Sequence, residues 1–198
     1  MSPAALSVFI DANILWSKCL ADWVNLCAIQ KNPVFHVTWS EDVLAEVRYG
    51  WRQRNPGASE RALSILLERF RAFHPKGRVT GYNPRDYPRP TADEHDWHVL
   101  AAAAHAGADI LLTDDTSAFT PECVEDRFIV HTADKFLLML LSESPSSVGQ
   151  AFEFQRQYFE RTYGYPPEYL LQRLEKAGAL SFAEKIPQVF PHFFEAEN

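Results

Sequence analysis

The chain has 198 residues, 46% hydrophobic, 13% aromatic and 23% charged, which suits one buried domain with at most an appendage and excludes wholesale disorder. No apolar run reaches membrane-spanning length, the first residues carry no basic region before an apolar block, and three cysteines (Cys19, Cys27, Cys123) are too few and too irregular for a disulfide framework. A cytoplasmic protein without membrane contact is expected, and its formal net charge of −7 argues against a uniformly basic, nucleic-acid-coating surface.

In chain order, “LSVFID” (6–11) has the contiguous apolar residues of a short buried strand, and a helix is predicted from about Asn13 to Gln30, ended at “KNP”. “VFHVTW” reads as a short strand or an extended approach. Ser40 is placed to cap a helix “EDVLAEVRYGWR”, with Glu41 and Asp42 in the first turn, where the helix dipole favours anions. Ser59 caps another to about Phe73, its Leu63, Leu66, Leu67 and Phe70 at helical spacing. Residues 74–92, rich in Pro, Gly and Arg, form a long loop.

A helix starts within “DEHDWHVLAAAAHAG”, with Gly107 as its stop, and “DILLT” follows as a strand. “RFIVH” is a further strand, followed by a helix from Thr132 to Leu141. “SESPSS” marks a boundary between residues 1–141 and a helical extension over 147–198, with an aromatic helix from about Gly149 to Tyr163, a helix after “GYPP” and a segment stopped by Pro187. Alternating buried strands and helices predict an α/β fold, a parallel sheet with helices on both faces. Ligands in such folds bind outside the carboxyl ends of the strands.

The charge is segregated. Between Arg48 and Pro90 ten basic residues face three acidic ones, a net of +7 that leaves −14 for the rest. This is either a phosphate-contacting surface or a set of solvated helix faces. Four acidic positions stand out in the remainder. Asp11 ends the first strand, Glu46 lies inside “VLAEV”, Asp96 opens “DWHVLAAAA”, and Asp114-Asp115 follow “LLT”. Each has a structural explanation taken singly: Asp11 as an N-cap, Glu46 paired with Arg48, Asp96 as a helix-start charge, one of the aspartates as a turn-former. Taken together they suggest a metal site. Clustered carboxylates stay ionised only beside a compensating cation, and oxygen ligands without His or Cys suit Mg²⁺ or Mn²⁺. His98 and His105 read as core-lining or surface residues, and His95 as a solvated helix-start residue, with a phosphate contact as the alternative. Phe152, Phe154, Tyr158, Phe159 and Tyr163 read as packing of the tail on the main domain or a partner interface, with base stacking as the alternative.

“VFIDANIL”, “WSEDVLAEV” and “DEHDWHVLAAAAHAGADILLTDD” resemble a PIN domain, and more narrowly a bacterial VapC-type toxin ribonuclease, over about Val8 to Leu141. “YPPEYLLQRLEKAG” resembles the helical C-terminal extension of some members. The resemblance implies a Rossmann-like sheet and hydrolysis of RNA phosphodiesters with one or two Mg²⁺ or Mn²⁺ ions. It also implies a cognate antitoxin and a homodimer. It places Asp11, Glu46 and Asp96 as the first three acids, with Asn13 and Thr113 as supporting polar residues. Where members have T-x-(D or N)-x-x-D-F, this chain has Ala118 at the second acid, which leaves the fourth ligand on Asp115, with Asp114 as the alternative. Arg48, Arg52, Arg54, Arg85 and Arg89 are the expected RNA contacts. One rival is an Asp-nucleophile phosphatase, which needs a second Asp where Asn13 stands. Another is a non-catalytic PIN-like protein that binds RNA or a partner.

Overall fold

The computed structural model describes residues 5–57, 59–87 and 94–195. Four strands, β1 (Leu6–Ile10), β2 (Phe35–Thr38), β3 (Ile110–Leu112) and β4 (Ile129–His131), form one parallel sheet in the order β2-β1-β3-β4. Val8, Phe9 and Ile10, whose side chains alternate between the two faces, are all fully buried, as are Leu111 and Leu112. Both faces of the central strands are therefore covered, which explains their unbroken apolar runs. The α/β sheet predicted from alternation is the one found. β2 and β4 are the two edge strands, and Ile129 on β4 is exposed.

The first predicted helix is in fact two, α1 (Ala12–Trp16) and α2 (Lys18–Ala28). Ser17 separates them: its extended backbone closes α1, and its hydroxyl accepts from Leu20 N–H to open α2. Ser40 and Ser59 cap α3 (Glu41–Arg54) and α4 (Glu60–Phe73) as expected. α3 buries Val43, Leu44 and Val47, and α4 buries Leu63, Leu67 and Phe70.

The Pro- and Gly-rich loop after α4 is pinned, not loose. Trp39 exchanges backbone hydrogen bonds with Gly77 and Val79, and its indole N–H donates to the His74 carbonyl at 3.0 Å. Gly77 is required by close approach, since a Cβ there would stand 2.0 Å from the Val37 carbonyl oxygen. α5 (Trp97–His105) is ended by Gly107 at φ 60°, a left-handed cap that glycine adopts without steric cost. Asp109, at the foot of β3, accepts from Ser7 N–H at 2.7 Å and ties β3 to the start of β1.

α6 (Pro121–Val124) and α7 (Ala133–Glu143) flank β4 in sequence. The boundary expected at “SESPSS” is a single residue, Ser144, before α8 (Pro145–Tyr163), which starts earlier than Gly149. α9 (Glu168–Lys176) follows “GYPP”. α10 (Leu180–Val189) is not stopped by Pro187 but contains it and runs two residues further. The rings of Trp23 on α2 and Phe182 are perpendicular with centroids 5.2 Å apart, and the Phe152 centroid lies 6.2 Å from that of Trp23. Those three side chains join α8 and α10 to the core under the sheet. Among the described residues no helix is long and apolar enough to cross a membrane.

Candidate functional site

The carboxyl ends of β1 and β3 lie side by side: Ile10 is in register with Leu112, and Asp11 N–H donates to the Leu112 carbonyl at 3.0 Å. From β1 the chain goes out to one side for β2 and to the other for β3 and β4. That reversal leaves a crevice at the strand ends. A pocket of about 530 Å³ opens there, lined by Asp11, Asn13, Trp16, Glu46, Tyr49, His95, Asp96, Asp114 and Asp115. All the acids picked out in the sequence reach it, from a strand end, two helices and a loop.

Asp11 is the buried member, 4% exposed. It does cap α1, accepting from Ala12 N–H, so the structural explanation of this residue is correct as far as it goes. Its Oδ2 accepts from the Thr113 hydroxyl and from the Asn13 amide, each at 2.7 Å. Asn13 Oδ1 in turn accepts from Asp114 N–H, and Thr113 Oγ1 from Asp115 N–H, each at 3.1 Å. This network fastens the Asp114-Asp115 loop to the end of β1. Burial pushes the Asp11 carboxyl up to about 6, against the hydrogen bonds from Thr113 and Ala12, and the Glu46 charge pushes it the same way.

Glu46 points from α3 toward α5, where its Oε1 lies 2.9 Å from His98 Nε2. Burial pulls the His98 imidazole down, but the hydrogen bond and charge of Glu46, with Asp42 and Asp11, outweigh it and leave it above the ordinary histidine range. His98 Nδ1 is buried with no hydrogen-bond partner among the described residues. The sequence suggests a core-lining or surface role for His98, and the structure sets it against Glu46. The available signal was its position two residues after Asp96 at the start of one helix. His105, seven residues on, turns away to Tyr87 and Tyr82. Asp96 holds the N-cap position of α5 without capping it through its side chain, and lines the pocket instead.

The two adjacent aspartates differ in their engagements. Asp114 Oδ1 accepts from Ala133 N–H at 2.9 Å, at the start of α7, and Asp115 Oδ1 accepts from the Ser117 hydroxyl at 2.7 Å. Ala118 is buried and does not line the pocket. Of the expected RNA-contacting arginines, Arg48 and Arg52 share Glu60 at 3.4 and 2.5 Å, and Arg54 lies over the Trp16 ring at 4.0 Å. Arg85 is exposed, and Arg89 lies outside the described residues. Arg71 and Arg78 both reach Glu41, so much of the basic segment is answered locally.

Besides His95 and the Tyr49 hydroxyl, the donors around the pocket are five carboxylates and the Asn13 amide, and the carboxylates supply the hard oxygens that Mg²⁺ and Mn²⁺ prefer. A cation is also what would hold the buried Asp11 carboxyl ionised. Among the described residues, no three His, Cys, Asp or Glu side chains yet stand close enough together to enclose a metal ion. The donor chemistry fits, with the carboxylates set around a cavity and not in mutual contact. The three cysteines are free and buried, away from this chemistry.

No curated protein and no solved structure matches the chain. A family model does: residues 7–117, more than half of the chain and a span that holds every acid of the pocket, match the PIN domain, and the chain therefore belongs to the PIN-domain family.

Proposed function

We propose that the protein is a metal-dependent endoribonuclease that hydrolyses RNA phosphodiester bonds to a 5′-phosphate and a 3′-hydroxyl, and that it is the toxin of a toxin–antitoxin pair. PIN domains are typically nucleases that generally use divalent metals. The observation that carries the reading is the convergence of Asp11, Glu46, Asp96 and the Asp114-Asp115 loop on one pocket at the ends of β1 and β3. Asp11, Asp96 and Asp115 would hold one or two Mg²⁺ or Mn²⁺ ions. When bound, such an ion polarises the phosphoryl oxygens and makes hydroxide available at neutral pH. Asn13 and Thr113 fix the orientation of Asp11 through hydrogen bonds to Oδ2. Glu46, held by His98, completes the donor set or orients the attacking water. Each aspartate has one oxygen engaged, but Asp114 is tied to the α7 backbone while Asp115 accepts from the rotatable Ser117 hydroxyl of its own loop, which favours Asp115 as the fourth ligand.

The toxin role, a cognate antitoxin, a homodimer and a cytoplasmic location rest on the sequence resemblance and the helical extension. The test is cleavage of bulk RNA with Mg²⁺ or Mn²⁺, with EDTA as control. Asp11→Asn is expected to keep the fold and lose more than the roughly 10–100-fold typical of a residue that only supports a ligand. A second reading, a PIN-like protein that binds RNA or a partner without cutting, is favoured by the open spacing of the carboxylates and by Ala118. RNA retained but uncut at saturating metal would select it.

A further inference from the structure

We propose that Tyr49 is a base-stacking platform that seats an unpaired nucleotide next to the scissile phosphate; this rests on the ribonuclease reading above. Tyr49 follows Glu46 by three residues on α3, so the two lie on one helix face, and both line the same pocket. Tyr49 is 66% exposed although its neighbours Val47 and Gly50 are buried. Among the described residues the ring stacks on no other side chain, so no packing role accounts for a large apolar group left in water there.

The surrounding charge defines what the ring can receive. On the acid side, Glu46, Asp96 and Asp11 repel a phosphate unless a cation lies between. On the other side, Arg48 and Arg52 share the single carboxylate of Glu60 and keep a net positive charge. A nucleic-acid strand laid along α3 would meet cation-compensated acids, then an aromatic face, then a positive patch. That is the sequence of features that binds single strands, in which backbone phosphates meet cations and bases stack on rings. A base inside a duplex already has both faces stacked and offers none to Tyr49, so the ring selects unpaired nucleotides.

The experiment uses the full chain with Mn²⁺ and a short single-stranded RNA, the same RNA annealed to its complement, and a version with one abasic position beside the cleaved bond. Tyr49→Ala should raise KM on the single strand about 5- to 100-fold with little change in kcat, while Tyr49→Phe stays near wild type. The abasic RNA should lower wild-type kcat/KM by a similar factor and cost Tyr49→Ala nothing further. Equal losses by Tyr49→Ala on intact and abasic RNA would overturn the stacking role and mark the ring as structural or as a protein-partner contact. Wild-type protein that cuts no RNA would instead overturn the ribonuclease reading itself. Tyr49→Leu, which keeps apolar bulk without an aromatic face, should behave like Tyr49→Ala; a Leu variant as active as wild type also overturns the proposal.

Discussion

Adjacent carboxylates at a strand end are stable only when each has separate work, and Asp114 and Asp115 divide it. Asp114 accepts a backbone N–H at the start of α7, while Asp115, among the described residues, is engaged within its own loop. Asp114→Ala should therefore cost stability, about 1 kcal/mol as for loss of a helix cap, and impair cleavage the less of the two. Asp115→Ala should leave the urea midpoint nearly unchanged and reduce kcat/KM the more. The reverse order in a paired measurement of melting and cleavage would move the fourth ligand to Asp114. Both residues were visible in the sequence as candidates. Their separation was not, because Ala133 lies 19 residues away and reaches Asp114 only once β4 has paired with β3.

At the scale of elements, the caps were local and therefore legible. Ser40 and Ser59 each accept from an N–H two or three residues on, a relation fixed by spacing alone. The apolar spacing runs through Ser17 and predicts one continuous helix, and only the cap geometry shows the break. The long loop was legible as a loop, but its anchoring was not. It depends on Trp39 and Val37, some 40 residues earlier, presenting backbone groups to Gly77. Gly77→Ala places a methyl against a carbonyl oxygen, and neither backbone can yield without breaking the Trp39 pairing. The expected loss is about 1–3 kcal/mol, as for other overpacking changes, read from urea denaturation. A loss near zero would mean that the loop moves as a unit.

For the whole molecule, two buried titrating groups act in opposite directions. His74, 7% exposed with its Nε2 2.7 Å from Asn25 Oδ1, is pulled down by burial to about 4 from 6.5. Its contribution is full above pH 6.5 and is lost as pH falls toward 4. Asp11, raised from 3.8 to about 6, contributes fully below 3.8 and loses that contribution as pH rises through 6. Each effect is on the order of 3 kcal/mol at most, at about 1.4 kcal/mol per unit. In metal-free protein they offset between pH 4 and 6.5. Asp11→Asn should therefore expose a loss of stability on acidification, and His74→Gln a gain, in urea midpoints compared at pH 6.5 and 4.5. Parallel curves for the three proteins would refute this. The C-terminal helices belong to the same balance, since Phe182 packs on Trp23 of α2. Phe182→Ala should cost about 3–5 kcal/mol and lower the melting temperature of the sheet and the extension together.

The buried central strands, the serine caps and the α/β class are legible from residue order alone, and the acids are legible as candidates, because each is written in a local pattern: contiguous apolar runs, a serine before a helix, a carboxylate after a strand. Their mutual placement comes from the folded chain. Parallel strands β1 and β3 are about 100 residues apart, and only their pairing sets Asp11 beside Thr113 and Asn13 beside Asp114. The packing of α3 and α5 at the strand ends joined Glu46 to His98, 52 positions apart, and left Tyr49 bare at the mouth of the pocket. Periodicity places a residue on a face of its own element; which element that face meets is settled by sheet order and burial.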